Sequence, residues 1–141
     1  MTYTSTDTGY LIRLFKNEKI VESLIAFSKQ EDITSAQIRG IGGVTEATIG
    51  FYDLDTREYE FDTYTETLEV LSLLGNISLL NNEPFLHAHI TVGRRDKSVI
   101  GGHLNEAVVG GTVELEVRTF TQPLHREKDE ETGLSLWELT E

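Results

Sequence analysis

The sequence predicts an α+β fold, a mostly antiparallel β-sheet with one main helix packed on it, and three observations carry that prediction. Apolar residues recur at helical spacing in one stretch only: Ile20, Val21, Leu24, Ile25 and Phe27. From Ser35 onward short apolar runs follow one another between turn residues, the pattern of an antiparallel meander or barrel-like sheet. Later, Val113, Leu115 and Val117 alternate with Glu114, Glu116 and Arg118, as a strand with one wet face requires. With 141 residues, one domain spanning 1–141 is expected, long enough to bury a real core. Its regular pattern runs from about residue 10 to about 120, and 121–141 form a C-terminal extension. No internal repeat or low-complexity linker divides it.

After a polar lead-in, Tyr10 to Lys16 (YLIRLFK) reads as the first strand, with Tyr10, Ile12 and Leu14 on one face and Leu11, Arg13 and Phe15 on the other. That strand is apolar enough to be buried over most of its length. Asn17 fits a helix cap and Glu18 the first turn, where the helix dipole favours an acid, so the helix is expected to run to about Glu31. Its apolar stripe most simply packs on a sheet. SAQIRGIGGV, TEATIGFYDL and REYEFDTY then read as successive strands, the third following a turn at Asp55-Thr56. Gly40, Gly42 and Gly43 do not make a dinucleotide loop, because position 45 is threonine and no helix follows. They read as backbone relief, a bulge or a close approach of chains. TLEVLSLLGNISLL, from Thr67 to Leu80, reads as a strand pair bent at Gly75, and Asn81-Asn82-Glu83-Pro84 turns the chain back. Ala107 to Phe120 closes the sheet. Gln122 to Thr132, centred on EKDEE, reads as a solvated loop with His125 exposed, and Gly133 to Leu139 as a final docked strand.

The chemistry concentrates in FLHAHITVGRRDKSVIGGHL, Phe85 to Leu104, which holds three of the four histidines. His87 and His89 lie two apart on a β-favouring run, so both project from one face, their Cα atoms roughly 7 Å apart. Arg94-Arg95-Asp96-Lys97 reads as a turn and Ser98 to His103 as the return strand. A turn centred on Asp96 sets His103 directly opposite His89 and diagonal to His87. Three neutral imidazoles then converge, a donor set that suits zinc and leaves a fourth position open. An HxH pair alone is often just two polar residues on a half-exposed strand; the third histidine in register distinguishes this case. A register slip of one residue would turn His103 to the other face.

Composition narrows the alternatives. There are no cysteines, which excludes disulfides, thiolate metal sites and cysteine nucleophiles and leaves histidine and carboxylate for any metal work. MTYTSTDTGY lacks a basic segment followed by an apolar run, and no window approaches membrane-span length, so a soluble cytoplasmic protein is expected. Asp and Glu number 24 against 12 Lys and Arg, a formal charge of -12 that repels phosphate backbones and anionic lipid.

GIGGVTEATIGFYD, LEVLSLLGNIS, FLHAHI and IGGHL, in that order, resemble the PPC domain, the plant and prokaryote conserved domain, from about Tyr10 to Phe120. The resemblance implies an α+β fold, assembly as a homotrimer, and zinc bound by the histidines matching His87, His89 and His103. Family names carry a DNA-binding label because plant relatives couple the domain to AT-hooks, Arg-Gly-Arg-Pro cores that enter the minor groove. No such core occurs here; Gly93-Arg94-Arg95-Asp96 lacks the proline and carries an acid. The histidine pattern is also similar to the zinc site of acetolactate decarboxylase, so the fold expectation extends to that relative.

Three functions follow. The first is a zinc-binding trimeric domain used for assembly or small-ligand sensing. The second is a zinc-dependent lyase or hydrolase acting on a small molecule, with Glu106 as a candidate proton-transfer group and Arg39 as a candidate anion clamp. A surface carboxylate and a salt-bridged strand arginine are the plainer readings of those two. The third is a DNA-associated regulator, supported by the family label and opposed by the charge.

Overall fold

The computed structural model describes residues 1–139; residues 140 and 141, the end of the C-terminal extension, lie outside it. The helical stripe forms α1 (Ile20–Gln30), which buries Ile20, Leu24, Phe27 and Ser28. Fully burying each large apolar side chain contributes roughly 1.5–3 kcal/mol. The buried Ser28 hydroxyl is satisfied by donating to the Leu24 carbonyl at 2.7 Å. The helix does not start where local sequence suggests. Asn17 sits in a turn at φ 70, Lys19 occupies the cap position, and no cap side chain bonds the first amides. Those amides are capped from a distant strand instead.

Nine strands follow the order β1 (Thr2–Thr6), β2 (Gly9–Phe15), β3 (Ala36–Asp53), β4 (Glu58–Tyr64), β5 (Leu68–Leu80), β6 (Glu83–Gly93), β7 (Val99–Thr119), β8 (His125–Lys128) and β9 (Ser135–Glu138). They form one sheet, antiparallel except where β8 runs parallel to β5. β3 pairs with β5 and β7, and β6 pairs with the same two strands, so these four close on themselves. The rest attach outside: β2 to β7, β1 to β2, β4 to β3, β8 to β5 and β9 to β8.

Several expected breaks are absent. The two runs from Ser35 to Leu54 are one strand of 18 residues, and the run from Ser98 to His103 continues into the closing strand as one of 21. Register shifts between Gly40 and Gly42, and at three further points along β3, absorb the strain of strands this long. Gly42, at φ 154, is the relief predicted: a Cβ there would come within 2.3 Å of the Thr112 carbonyl oxygen. Gly75 is no bend. β5 runs straight through it because β6 approaches so closely that a Cβ would meet the His87 carbonyl at 2.6 Å. The polar lead-in is strand β1, and the stretch read as a solvated loop contains β8.

The sheet has two unlike sides. Ile12, Leu14, Ile38, Leu73, Ile77, Ile90 and Val109 are buried together with the apolar face of α1 in the core. β2 is therefore buried on one face only: Leu11 and Phe15 remain exposed. Leu11, Ile41 and Leu74 share the opposite side with Arg39 and Glu116, their neighbours along and across the strands.

Candidate metal centre

Ala88 and Ile90 of β6 are buried, so the alternating side chains His87 and His89 turn away from that core. The Arg94 to Ser98 turn is closed by the Arg94 amide on the Ser98 carbonyl at 2.9 Å and by the Asp96 carboxylate accepting from the Ser98 amide and hydroxyl. It sets His89 opposite His103 across the β6–β7 pair, the register expected from the sequence. The imidazole centroids stand 5.3 Å apart for His87–His89, 5.4 Å for His87–His103 and 5.7 Å for His89–His103.

One nitrogen from each ring lies within 4.8 Å of the others, the one such convergence of three metal-ligating side chains among the described residues. Nitrogens on a tetrahedral zinc are about 3.4 Å apart. Each nitrogen then has to move inward by at most about 0.8 Å, a small side-chain adjustment. The donor set fits a divalent ion: three imidazoles, no thiolate and no carboxylate among them. Protonation favours the same use. Burial, helped by the charges of His87 and His89, pushes His103 down to about 4. Burial first, then Arg126 and His89, lowers His87 from its ordinary value. Neutral imidazole is the ligating form.

Two groups that sequence reasoning missed flank the histidines. On β4, the Tyr59 ring centroid lies 4.6 Å from that of His103, its hydroxyl 3.5 Å from His103 Nδ1, and Tyr52 and Phe61 pack against it. Burial raises the Tyr59 hydroxyl above the ordinary tyrosine value, so it remains a donor. On the other flank is Arg126 of β8. Its Nη2 donates to Asn76 Oδ1 at 2.8 Å, and Asn76 is the register partner of His87. Nothing local marks Arg126, which lies in a run of polar residues; the aromatic residues Phe85 and Trp137, which receive it, are the only signal.

Glu106 and Arg39 are each engaged by other partners. The Glu106 carboxylate accepts from the Val21 amide at 2.8 Å, the Glu22 amide at 3.2 Å and the Ala107 amide at 2.9 Å. It is the missing cap of α1, with three of its roughly four acceptor positions taken by backbone amides. Arg39 donates through Nε to Glu116 at 2.8 Å, so its charge is already paired; it lies on the same face of the sheet as His89, with Leu74 of the intervening strand in register between them. His125 is exposed, as expected.

The pattern of the Plants and Prokaryotes Conserved (PCC) domain matches residues 1–121. Among solved structures, the chain is similar to a candidate DNA-binding protein from Bacteroides thetaiotaomicron, at 35% identity and TM-score 0.94, covering 97% of this chain and 96% of that one. It is also similar to a metal-containing protein from Archaeoglobus fulgidus, at 35% identity and TM-score 0.86, covering 99% of this chain and 100% of that one. A Staphylococcus aureus protein described as similar to α-acetolactate decarboxylase shares the fold alone, at 13% identity and TM-score 0.59, with 84% of this chain and 55% of that one covered. No curated protein matches. With its pattern matched over residues 1–121 and its α+β sheet shared along almost the whole length of the Bacteroides and Archaeoglobus proteins, the chain belongs to the Plants and Prokaryotes Conserved domain family.

Proposed function

We propose that this protein is a zinc-binding PPC-domain protein that assembles as a homotrimer and holds a small ligand at its three-histidine centre. The observation that carries the reading is the convergence of His87, His89 and His103 with their nitrogens within 4.8 Å. The lowered proton affinity of His87 and His103 supports it, as does the description of the archaeal relative as metal-containing. When bound, the ion supplies a Lewis-acidic charge and exchangeable coordination positions. The chain's own residues shape what reaches it. Tyr59 offers a hydroxyl donor beside His103, and Tyr52 and Phe61 wall off that flank.

Self-assembly is supported by the exposed side of the sheet. Leu11, Ile41, Leu71 and Leu74 are each at least half exposed and line a groove of about 730 Å³ with Arg13, Arg39, Glu114 and Glu116. Apolar surface of this kind, rimmed by charges, is characteristic of interfaces. A DNA-associated role has the name of the Bacteroides relative in its favour, and a formal charge of -12 against it.

The test is elemental analysis of untagged protein together with its mass in solution by light scattering. One zinc per chain and three times the chain mass are expected. Protein that stays metal-free after zinc loading, or that runs at single-chain mass, overturns the corresponding half of the reading.

A further inference from the structure

The charges flanking the histidines are unbalanced. Arg126 lies beyond the residues matched by the family pattern, yet its side chain is nine-tenths buried. Its Nε donates to Ser78 Oγ at 2.7 Å, Nη1 to the Ser135 carbonyl at 2.6 Å and Nη2 to Asn76 Oδ1 at 2.8 Å. Its guanidinium carbon stands 5.2 Å from the centroid of the Phe85 ring and 5.8 Å from that of Trp137. Every one of these partners is neutral. No carboxylate is within ion-pair distance among the described residues, although the chain carries 24 acids.

A guanidinium removed from water and matched only by neutral acceptors retains its full charge and the cost of burying it. Its place on the sheet adds to the imbalance. Asn76 is the register partner of His87 and Ser78 that of Phe85, and Phe85, His87 and His89 share a face by alternation. Three neutral imidazoles leave the charge of a divalent ion undiminished. The centre and Arg126 together carry three positive charges with no acid among their ligands. A small anion would balance these charges.

We propose that Arg126 is the anion-recognition residue of this centre and that the ligand is a small organic carboxylate. The proposal rests on the reading of the three histidines as a metal site. Three of the five guanidinium N–H donors are anchored to the protein, and two remain to meet an incoming oxyanion. The planar fork suits a carboxylate, which presents two acceptor oxygens in one plane. Phe85 and Trp137 on one flank and Tyr59 and Phe61 on the other provide apolar surface for a short carbon body. Arg126 is a recognition residue in this scheme, since no proton has to leave it.

The experiment uses the full chain loaded with cobalt(II), whose visible spectrum reports changes in the ligands of the ion, in chloride-free buffer. Acetate and inorganic phosphate are titrated into wild type, Arg126→Gln and Arg126→Lys, with metal content and circular dichroism measured on each. Acetate should perturb the wild-type spectrum and bind more tightly than phosphate. Its affinity should fall at least about tenfold in Arg126→Gln and about threefold in Arg126→Lys, at unchanged metal content, the losses expected when a charged two-pronged hydrogen bond is removed or reduced to a point charge. Should Arg126→Gln fail to fold, the lysine variant decides, and acetate affinity equal to wild type in it overturns the proposal. Phosphate binding more tightly than acetate overturns the carboxylate assignment. A wild-type protein that takes up no cobalt refutes the metal site itself, an outcome read from metal content before any anion is added.

Discussion

Replacing Glu106 by alanine separates a structural carboxylate from a chemical one. In α1 the Val21 and Glu22 amides are the second and third of the helix, the two that a cap normally satisfies, and both donate to Glu106 from across the fold. Lys19, at the cap position itself, has no side-chain oxygen to take over. Losing a cap costs about 1 kcal/mol, and up to about 2 in some folded proteins. Losing a negative charge at the positive end of the helix adds roughly 0.3–1 kcal/mol. Glu106→Ala should therefore destabilise the metal-free protein by about 2 kcal/mol, or about 6–10 °C in Tm for a domain of this length. Glu106→Gln keeps an acceptor and loses the charge, so about half that cost is expected. The assay is urea unfolding of chelated protein, with metal content measured separately on loaded samples. Both variants should bind metal as wild type does. A Glu106→Ala protein of unchanged stability, or one that folds normally but loses its metal, would refute the capping argument and return Glu106 to the site.

The remaining predictions concern the metal and the charge. In metal-free protein His103 is held down to about 4 by burial against an unfolded value of about 6.5, so the unfolded state binds the extra proton between those limits. Its contribution to stability is fully present above about pH 6.5 and is lost as pH falls toward about 4, by about 2 kcal/mol once partial exposure is allowed for; a stability flat across that window in chelated protein would contradict the burial of the ring. Bound metal should be released as pH drops below about 6, because protons compete for the same nitrogens, and occupancy constant down to about pH 4 in dialysis would remove these histidines from the site. His89→Ala should abolish metal binding yet unfold cooperatively, like the chelated wild type, at a cost near the linkage value of about 2.7 kcal/mol for free metal at a hundred times its Kd; stoichiometric zinc in the mutant would exclude His89 as a ligand. Mixed-sequence duplex DNA should bind no better than the micromolar range at physiological salt, given the -12 charge, and a nanomolar affinity there would reverse the electrostatic exclusion.

What could be read from the sequence was whatever local spacing determines. The register of His89 with His103 follows from the position of Asp96 in a short turn, because hairpin pairing propagates residue by residue from that point. The α1 stripe is equally local. What escaped depends on partners far along the chain. Asn17 looks like a cap, but the helix begins at Ile20 and takes its cap from Glu106, a contact between residues 85 apart in sequence. Gly75 looks like a bend because its neighbours are apolar, when it is a place where the approach of β6 leaves no room for a Cβ. β1 is polar along most of its length because it is an edge strand, paired on one side with β2. Arg126 sits in HREK, whose composition carries no periodicity at all. Only its docking beneath Trp137 and beside Phe85 makes it interior.

The division of the sheet into two sides explains why site and fold are separable here. A long β-strand offers alternate side chains to opposite faces, and in β6 this chain spends Ala88, Ile90 and Val92 on the core while His87 and His89 face away from it. The core therefore stays intact if the histidines change, which is unlike small metal domains whose only interior is the ion and its ligands. The same alternation constrains the histidines in return. His87 and His89 cannot turn toward the core without a one-residue slip that would expose Ile90, so the packing of the apolar face enforces the placement of the ligands. Closure of β3, β5, β6 and β7 on themselves strengthens this, since β6 is paired on both edges over His89 to Gly93 and has no free side along which to slide. The geometry of the centre is thus maintained by buried aliphatic residues that never touch it. Substitutions at Ile90 or Val92 that shift the register should disturb the histidine cluster more than comparable losses of volume at Leu14 or Val113, which lie on other strands.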